Sequence, residues 1–589
     1  MSDFLYSAVR QPEGRLRGIL ADQLDAVTSE YIELHGDWGS LAVATCPHDE
    51  HVLHRVDGFI SVLLGQPIVT SARAARGVGG LGRREAVHEL ARDEFTERLA
   101  WDDHLDGPFA LFLMDEASGT GGFATDLMAS IPLFSTGVDS QDGPDFVLGS
   151  HVDAVAITAG RHNEIDTVAA LDFVIHGSIT FPHTLYPAVA QVEPAAAWTF
   201  DSRTGRIGPF NRYWIPNERE LFSTIRDAAM ALREAIANDL AAVCDGLDTV
   251  GILLSAGEDS RVVLGAIPPG PLVKAFIFAD RENREVEVTR RVAAAYGARF
   301  VMGTRHQHHY LAALETTSSM VGSQHRFIDV HGAGFHKELG LDQLPVVLGG
   351  FSSDTLLKAQ YATARLPKGQ NAWKRGTSDG IAIPALPGVK SDLLDEVAAR
   401  REGWRERLAP YRPDSAGEWL NLWPFSMRRA SGNFPGNRRL FRTHEPFMSN
   451  PVVKIAAAVP QKWKMNRRLF HIAMRPYLER SWNIPHGRSL YPYFGFYSNL
   501  ALGAGVRFAR SVRARINATS GDHHGPWPDR KVEVRSELMA EKRARYPVHG
   551  TALEAMFDTD LSDGWVPNQQ LLLLELAFIV HHPRDNGGS

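Results

Sequence analysis

The chain of 589 residues is 44% hydrophobic and 22% charged, and its net charge of −7 comes from interspersed charges of both signs. That length exceeds what one hydrophobic core organises and predicts two or more packed domains, while the composition, without the ~18 consecutive apolar residues of a membrane span, is that of an ordinary globular protein. The only cysteines, Cys46 and Cys244, exclude a disulfide framework and a multi-thiolate zinc site.

The opening Met1-Ser2-Asp3-Phe4-Leu5-Tyr6 has no basic segment followed by an apolar one, so no secretory signal is expected and a cytoplasmic location is. Up to about residue 215 the chain reads as short strands separated by turn residues, among them Ser40–Thr45, Phe59–Leu64, Phe109–Met114 and Phe146–Gly149. The texture changes near Pro216, and residues 218–243 carry apolar side chains at helical spacing. The expected domains are therefore 1–215, an α+β layer rich in sheet, and 216–589.

From Asp248 onward strand-like and helical runs alternate: Thr249–Leu254, a helix from Asp259, Leu272–Phe278, a helix over Glu285–Tyr296, then Phe300–Met302. Alternation of this kind predicts a parallel sheet flanked by helices, an α/β class. Beyond Pro345–Leu348 the remainder reads as mostly helical. The basic runs at Arg438–Arg439 and Arg507–Arg515 are short and are read as solvated faces, so neither nucleic acid nor membrane is expected as a partner. The histidines at 306, 308, 309, 325, 331 and 336 are read as solvated or helix-end residues, since no Cys or tight acidic set accompanies them.

The most informative segment is Thr249-Val-Gly-Ile-Leu-Leu-Ser255-Ala256-Gly257-Glu258-Asp259-Ser260, an apolar strand entering a small-residue turn and then a helix. Unsatisfied N–H groups at a helix N-terminus suit phosphate oxygens when the loop side chains stay small. Ser255 and Ser260 add hydroxyl donors, and Asp259 is placed to hold Mg²⁺ against the phosphates. The order Ser-Ala-Gly-Glu-Asp-Ser resembles the Ser-Gly-Gly-x-Asp-Ser pyrophosphate loop of the asparagine synthetase superfamily. Ala256 departs from its second glycine, which is costly if the backbone needs φ > 0 there. Glu258 falls at its variable position and is expected to point away from the phosphates.

Further on, Val346-Val-Leu-Gly-Gly350-Phe351-Ser-Ser-Asp354-Thr355 resembles the second signature of that superfamily, a strand running into Ser-Gly-Glu-Gly-x-Asp-Glu, with Phe351 and Thr355 in place of its two glutamates. The resemblance implies a second Mg²⁺ ligand at Asp354, nucleotide contacts at Gly350, and adenine on the strand that ends at Phe278. Two acids far apart in sequence would then converge at the carboxyl ends of a parallel sheet.

The N-terminal part is similar to the glutaminase-type half of the same superfamily: Leu105-Asp-Gly107 through Asp115, then Phe123-Ala-Thr125-Asp126 with Ala129-Ser-Ile-Pro132-Leu-Phe134, with Thr125 and Ala129 replacing an Arg and a Gly. Such a glutaminase needs a cysteine at the mature N-terminus; this chain has Ser2. The resemblance implies a degenerate Ntn-hydrolase-like α+β sandwich followed by a PP-loop ATPase domain with a helical extension. It implies ATP and Mg²⁺ as cofactors and an ATP-dependent ligase that adenylates a carboxylate and passes it to an amine without glutamine hydrolysis, as in the β-lactam synthetases and lasso peptide cyclases. The substrates would be small-molecule or peptide carboxylates and amines, with a precursor peptide or partner enzyme as candidate partners. Ammonia-dependent amidation and a silent nucleotide-binding scaffold are the alternatives.

The second half-reaction needs a base and a cation. Glu445, in Glu445-Pro-Phe447-Met-Ser449-Asn450, is the candidate base, and Arg488, in Pro485-His486-Gly-Arg488, the candidate cation, the first implied by resemblance to the family's Pro-Phe-Leu-Asp segment and the second by the place of the Arg-Pro-Lys loop of β-lactam synthetases. Ser449 stands where the family has Asp. For His325, ahead of the second signature at a depth where family members line the acceptor pocket, the resemblance implies a place in that pocket.

Overall fold

The computed structural model describes residues 2–49, 52–70, 101–137, 146–208, 210–219, 221–362, 386–486, 490–499, 530–558 and 565–582. It is a mixed α/β chain with an antiparallel-sheet domain first and a parallel-sheet domain second. Among the described residues no helix is long and apolar enough to cross a membrane.

Two antiparallel sheets build the first domain. One contains β1 (Asp3–Ser7), β2 (Glu30–Gly36) and β3 (Gly39–Thr45). The other contains β4 (Leu53–Val56) and β5 (Phe59–Gly65), and a short ribbon pairs β6 (Ile68–Val69) with β7 (Leu105–Asp106). The chain then alternates between the sheets through β8 (Phe109–Asp115), β9 (Thr120–Thr125), β10 (Phe134–Ser135), β11 (Val147–Gly149), β12 (Ala190–Gln191), β13 (Ala196–Asp201), β14 (Arg206–Ile207) and β15 (Asn211–Arg212). The first sheet runs β12-β10-β11-β1-β3-β2 and the second β14-β13-β9-β8-β5-β4, with β15 beside β13.

Successive residues of a strand point to opposite faces, and the first sheet uses both. Phe4, Tyr6, Leu41 and Val43 enter the space between the sheets, packing with Phe112, Phe123, Phe146 and Phe200. Leu5, Ala42 and Ala44 face outward onto the helices α1 (Arg15–Leu24), α2 (Val152–Thr158) and α3 (Thr167–His176). At about 1.5–3 kcal/mol for each large apolar side chain, this two-layer burial explains why the strand runs are almost continuously apolar rather than alternating.

The second domain opens with α4 (Ile225–Cys244). It begins later than residue 218 because a capping box sets its start: Thr224 Oγ1 accepts from Asp227 N–H at 3.2 Å, and Asp227 accepts from Thr224 N–H at 3.1 Å. There follow β16 (Thr249–Leu253), α5 (Asp259–Ala266), β17 (Leu272–Ala279), α6 (Arg284–Tyr296), β18 (Arg299–Thr304), β19 (Val347–Leu348) and β20 (Thr443–His444). All these strands pair in parallel, in the order β18-β17-β16-β19-β20. The order grows outward from β16 in one direction and then reverses to β19 on its other side. Beside β16 and β19, therefore, lies a topological switch point, where open α/β sheets leave a crevice at their carboxyl ends. The rest is mostly helical, including Ser391–Leu408, Asn450–Ala458, Arg468–Met474 and Pro567–His581.

A charged lock joins the two domains. Arg438 and Arg439 are 1% and 3% exposed, so they are not the solvated face expected of a basic pair. Arg439 holds Asp3 through Nε at 2.8 Å and Nη2 at 2.7 Å, Arg438 Nη2 donates to the same carboxylate at 2.7 Å, and Ser150 Oγ at 2.8 Å. The reason is the acid at the start of β1, which a sequence reading confined to neighbouring residues does not connect to position 438. The Arg507–Arg515 run lies outside the described residues.

Candidate functional site

The loop after β16 is held by side chains from three directions. Ser255 N–H donates to Ser260 Oγ at 3.1 Å, Gly257 N–H to Ser255 Oγ at 3.1 Å, and Ala256 N–H to Glu285 Oε1 on α6 at 2.8 Å. Arg261, fully buried, donates to Ala256 O at 3.0 Å and to Ile484 O at 2.7 Å. Glu285 is thus a loop support rather than a surface residue. The intrahelical bonds start with Val262 N–H to Glu258 O, at 2.8 Å, so the preceding amides of α5 stand outside the helical ladder. Ala256 is not among the described residues with positive φ; its Cβ therefore costs nothing, and the methyl is buried in the core.

The loop after β19 fits against this one. A Cβ at Gly350 would lie 2.6 Å from Ser260 N, and one at Gly349 would lie 2.1 Å from Glu445 Oε1. The two glycines therefore allow the second loop to touch both α5 and the residue that follows β20. Ser352 takes φ 71, and the short helix Ser353–Leu357 then carries Asp354.

Asp259 and Asp354 do come together, close enough that the Asp354 carboxylate disfavours ionisation of Asp259. Lys358, one helical turn beyond Asp354, lies 2.5 Å from Asp259 Oδ1 and 3.2 Å from Glu258 Oε1. Arg467 pairs with Glu258, and Arg428 Nη2 lies 3.2 Å from Asp354 Oδ1. Burial pushes the Asp259 pKa up and outweighs the pull of Lys358. Burial acts on Glu258 the same way, but Lys358 and Arg467 overcome it and hold that carboxyl below its usual range. Glu258 thus turns into the cluster, where two cations hold it.

Glu445 is buried against the same loop, accepting from Phe351 N–H at 2.8 Å. Burial pushes its pKa up to about 7, against the pull of that N–H and of His444 and Arg428. A carboxyl poised near neutrality is suited to accepting a proton. Beside it, His444 lies 2.8 Å from Asp239, and its pKa is raised: burial lowers it, and Asp239 more than compensates.

Not every predicted residue is found in this cluster. His325 belongs to the domain interface: its Nδ1 is 3.0 Å from Ser431 Oγ, and burial, with Arg439 and Arg438 nearby, pushes its pKa down to about 3. Phe278 stacks on Phe335 at 4.7 Å, at the carboxyl end of β17. Arg488 lies outside the described residues. The Ser449 hydroxyl donates to Pro446 O at 3.0 Å. Of the six histidines, His306 alone is exposed, and the others are half-buried or, in His325, buried. Lys358, Arg428 and Arg467 are additions that the sequence reading lacks. Only Lys358 leaves a signal there, the i,i+4 spacing from Asp354 that puts both on one helical face.

At the start of the first domain, Ser2 is fully buried. Its N–H and Oγ both donate to Asp49 Oδ2, at 2.8 and 3.1 Å, Cys46 N–H donates to Ser2 Oγ at 3.2 Å, and Arg438 Nη1 covers Ser2 O at 2.9 Å.

With this geometry in place, residues 99–214 match the protein-family model described as a glutamine amidotransferase domain. The match supports a glutamine amidotransferase-related fold for the N-terminal part and, with it, an enzyme of amide-forming or glutamine-utilising type. Among solved structures, one similar chain is a glutamine phosphoribosylpyrophosphate (PRPP) amidotransferase from B. subtilis complexed with ADP and GMP. The identity is 11%, the alignment covers 51% of this chain and 66% of that one, and the TM-score is 0.22. Comparison with curated proteins gave no match.

Proposed function

We propose that the protein is an ATP-dependent ligase of the asparagine synthetase type, with a PP-loop in its second domain. It would adenylate a carboxylate, releasing pyrophosphate, and transfer the acyl group to an amine, releasing AMP, without hydrolysing glutamine. The observation that carries this reading is the convergence of Asp259 and Asp354 from two strand ends at the switch point, beside the first amides of α5, which stand outside the helical ladder. Two carboxylates suit Mg²⁺, which takes most of its remaining ligands from phosphates and water. Mg²⁺ held there by Asp259 and Asp354 would neutralise phosphate charge. Lys358 neutralises Asp259 in this structure and would be shared with phosphate oxygens when nucleotide binds. Glu445 would take the proton of the attacking amine. The packing of Ser2 under Arg438 supports a first domain that serves as scaffold.

Pyrophosphate exchange into ATP, screened over small-molecule and peptide carboxylates, tests this reading. Exchange is expected in the wild type and is expected to vanish in both Asp259→Ala and Asp354→Ala. Exchange that survives both substitutions, or no exchange with any carboxylate whether or not MgATP binds, defeats it.

A further inference from the structure

Arg428 follows the short turn Phe425–Met427 and is 7% exposed, yet it uses little of its hydrogen-bonding capacity. Nη2 reaches Asp354 at 3.2 Å, and the guanidinium carbon lies 3.7 Å from the centre of the Phe351 ring. Its Nε and Nη1 are buried and have no hydrogen-bond partner among the described residues. Most other buried arginines use more of their donors, and Arg261 leaves only Nε without a partner. Arg412 donates to Ser415, Pro216 O and Ala457 O, and Arg439 makes a two-pronged contact with Asp3. A desolvated guanidinium with idle N–H groups is unfavourable unless something else satisfies them.

The surroundings say what that is. Phe351 covers one face of the guanidinium, so a ligand meets its edge, where the N–H groups point. Asp354, the acid paired with it, keeps a side chain 40% exposed, so the pair adjoins solvent. Glu445 receives the N–H of Phe351 itself. The family signature resembled by this segment has a glutamate at position 351; here an aromatic ring with a cation stacked on it makes that wall positive.

We infer that Arg428 is an oxyanion-binding residue of this site, taking oxygens of a carboxylate or a phosphate on its Nε–H and Nη1–H. Which ligand it holds rests on the ligase reading: the oxyanion is either the carboxylate to be activated or a nucleotide phosphate. Guanidinium groups suit both because the N–H donors are planar and permanently charged.

The test uses the full chain as wild type, Arg428→Met and Arg428→Lys, each checked for folding by near-ultraviolet circular dichroism. Calorimetric titration with MgATP and with magnesium pyrophosphate, without carboxylate, is followed by exchange kinetics. If the ligand is phosphate, Arg428→Met weakens both titrations by about tenfold or more and Arg428→Lys recovers part of the loss. If it is the carboxylate, both titrations stay unchanged and KM for the carboxylate rises by a similar factor, with a smaller effect on kcat. Titrations and KM all unchanged in a folded Arg428→Met overturn the inference. If wild type binds MgATP but exchanges with no carboxylate, the ligase reading fails alone, and Arg428 stands or falls on the two titrations. Wild type that binds neither probe overturns both.

Discussion

Two places in this molecule bury clusters of charge, and they are built to different specifications. At the domain interface, the Asp3 carboxylate accepts from two guanidinium groups and a hydroxyl, and burial, which would raise its pKa, is overwhelmed by Arg438 and Arg439, so that the carboxyl lies far below the usual range. At the switch point, Asp259 and Glu445 are pushed the other way, and Arg428 keeps N–H groups that are idle among the described residues. Saturated charge makes a lock, and frustrated charge makes a place where a ligand or proton is stabilised on arrival. The first domain is thus related to an amidotransferase in fold while its leading residues, Ser2 and Asp3, serve the interface.

The largest expected effect comes from breaking the lock. Removing one partner of a buried ion pair leaves the other charge uncompensated, at a cost of about 3–5 kcal/mol, and Asp3→Ala strands two guanidinium groups together. Urea unfolding of Asp3→Ala should show a loss of that order, steepest for the domain junction. The sign with pH follows from the depressed carboxyl. Its stabilisation is complete above the unfolded carboxylate pKa and is lost as pH falls toward the folded one. Acid should therefore destabilise wild type more than Asp3→Ala. Equal acid sensitivity in the two would show that the lock is not where the interface draws its strength.

The next effect belongs to the other cluster and has the opposite sign. Glu445 has a folded pKa raised from 4.5 to about 7, so its neutral form is favoured by the fold. For an acid whose pKa is raised, the native state loses stability as pH rises from the unfolded pKa through the folded one. Glu445→Gln removes that penalty, so the variant should gain on wild type between about pH 5 and pH 8, by about 1–3 kcal/mol, since each pH unit separating the two pKa values is worth about 1.4 kcal/mol. Amide formation should fall sharply in the same variant while MgATP binding persists. Parallel stability profiles for Glu445→Gln and wild type would erase the contrast between the clusters.

Much of this is legible in the sequence. The strands up to Phe146–Gly149 and the alternation after Asp248 follow from apolar runs and small-residue turns, which are local features. Asp259 and Asp354 are legible because each follows a recognisable strand, whereas Glu445 is marked only by the resemblance of its Pro-Phe segment, since the two-residue strand before it, Thr443–His444, is too short to read. Arg428 and Arg467 are not, because their role arises from packing between distant segments, 209 residues apart for Arg467 and Glu258, and a lone Arg carries no local pattern; Lys358 leaves only its i,i+4 spacing from Asp354. Arg438–Arg439 reads as a solvated face for the same reason: its partner, Asp3, is 435 positions away from Arg438. His325 stands near the second signature in sequence, but the chain between them turns it onto the interface.

The smallest expected effect probes whether the first domain is only a scaffold. Ala129 replaces a glycine of the turn it resembles, and it takes φ 46, in the left-handed region. The turn is fixed by Asp126, whose carboxylate accepts from Met128 N–H and Ser130 N–H at 2.9 Å each, and from Phe109 N–H at 3.2 Å. A non-glycine residue there costs about 1–2 kcal/mol, while a glycine would cost about 0.4–1 kcal/mol through the freer unfolded chain, besides the lost methyl burial. These terms nearly cancel, so Ala129→Gly should shift stability by less than about 1 kcal/mol. Ala124→Gly, on β9 and similarly buried, incurs the same costs without relief and should lose more. MgATP affinity and pyrophosphate exchange should be unchanged in both variants. An exchange rate that followed the Ala129 turn would mean that the first domain acts on the chemistry of the second, and that the difference between lock and site is one of degree.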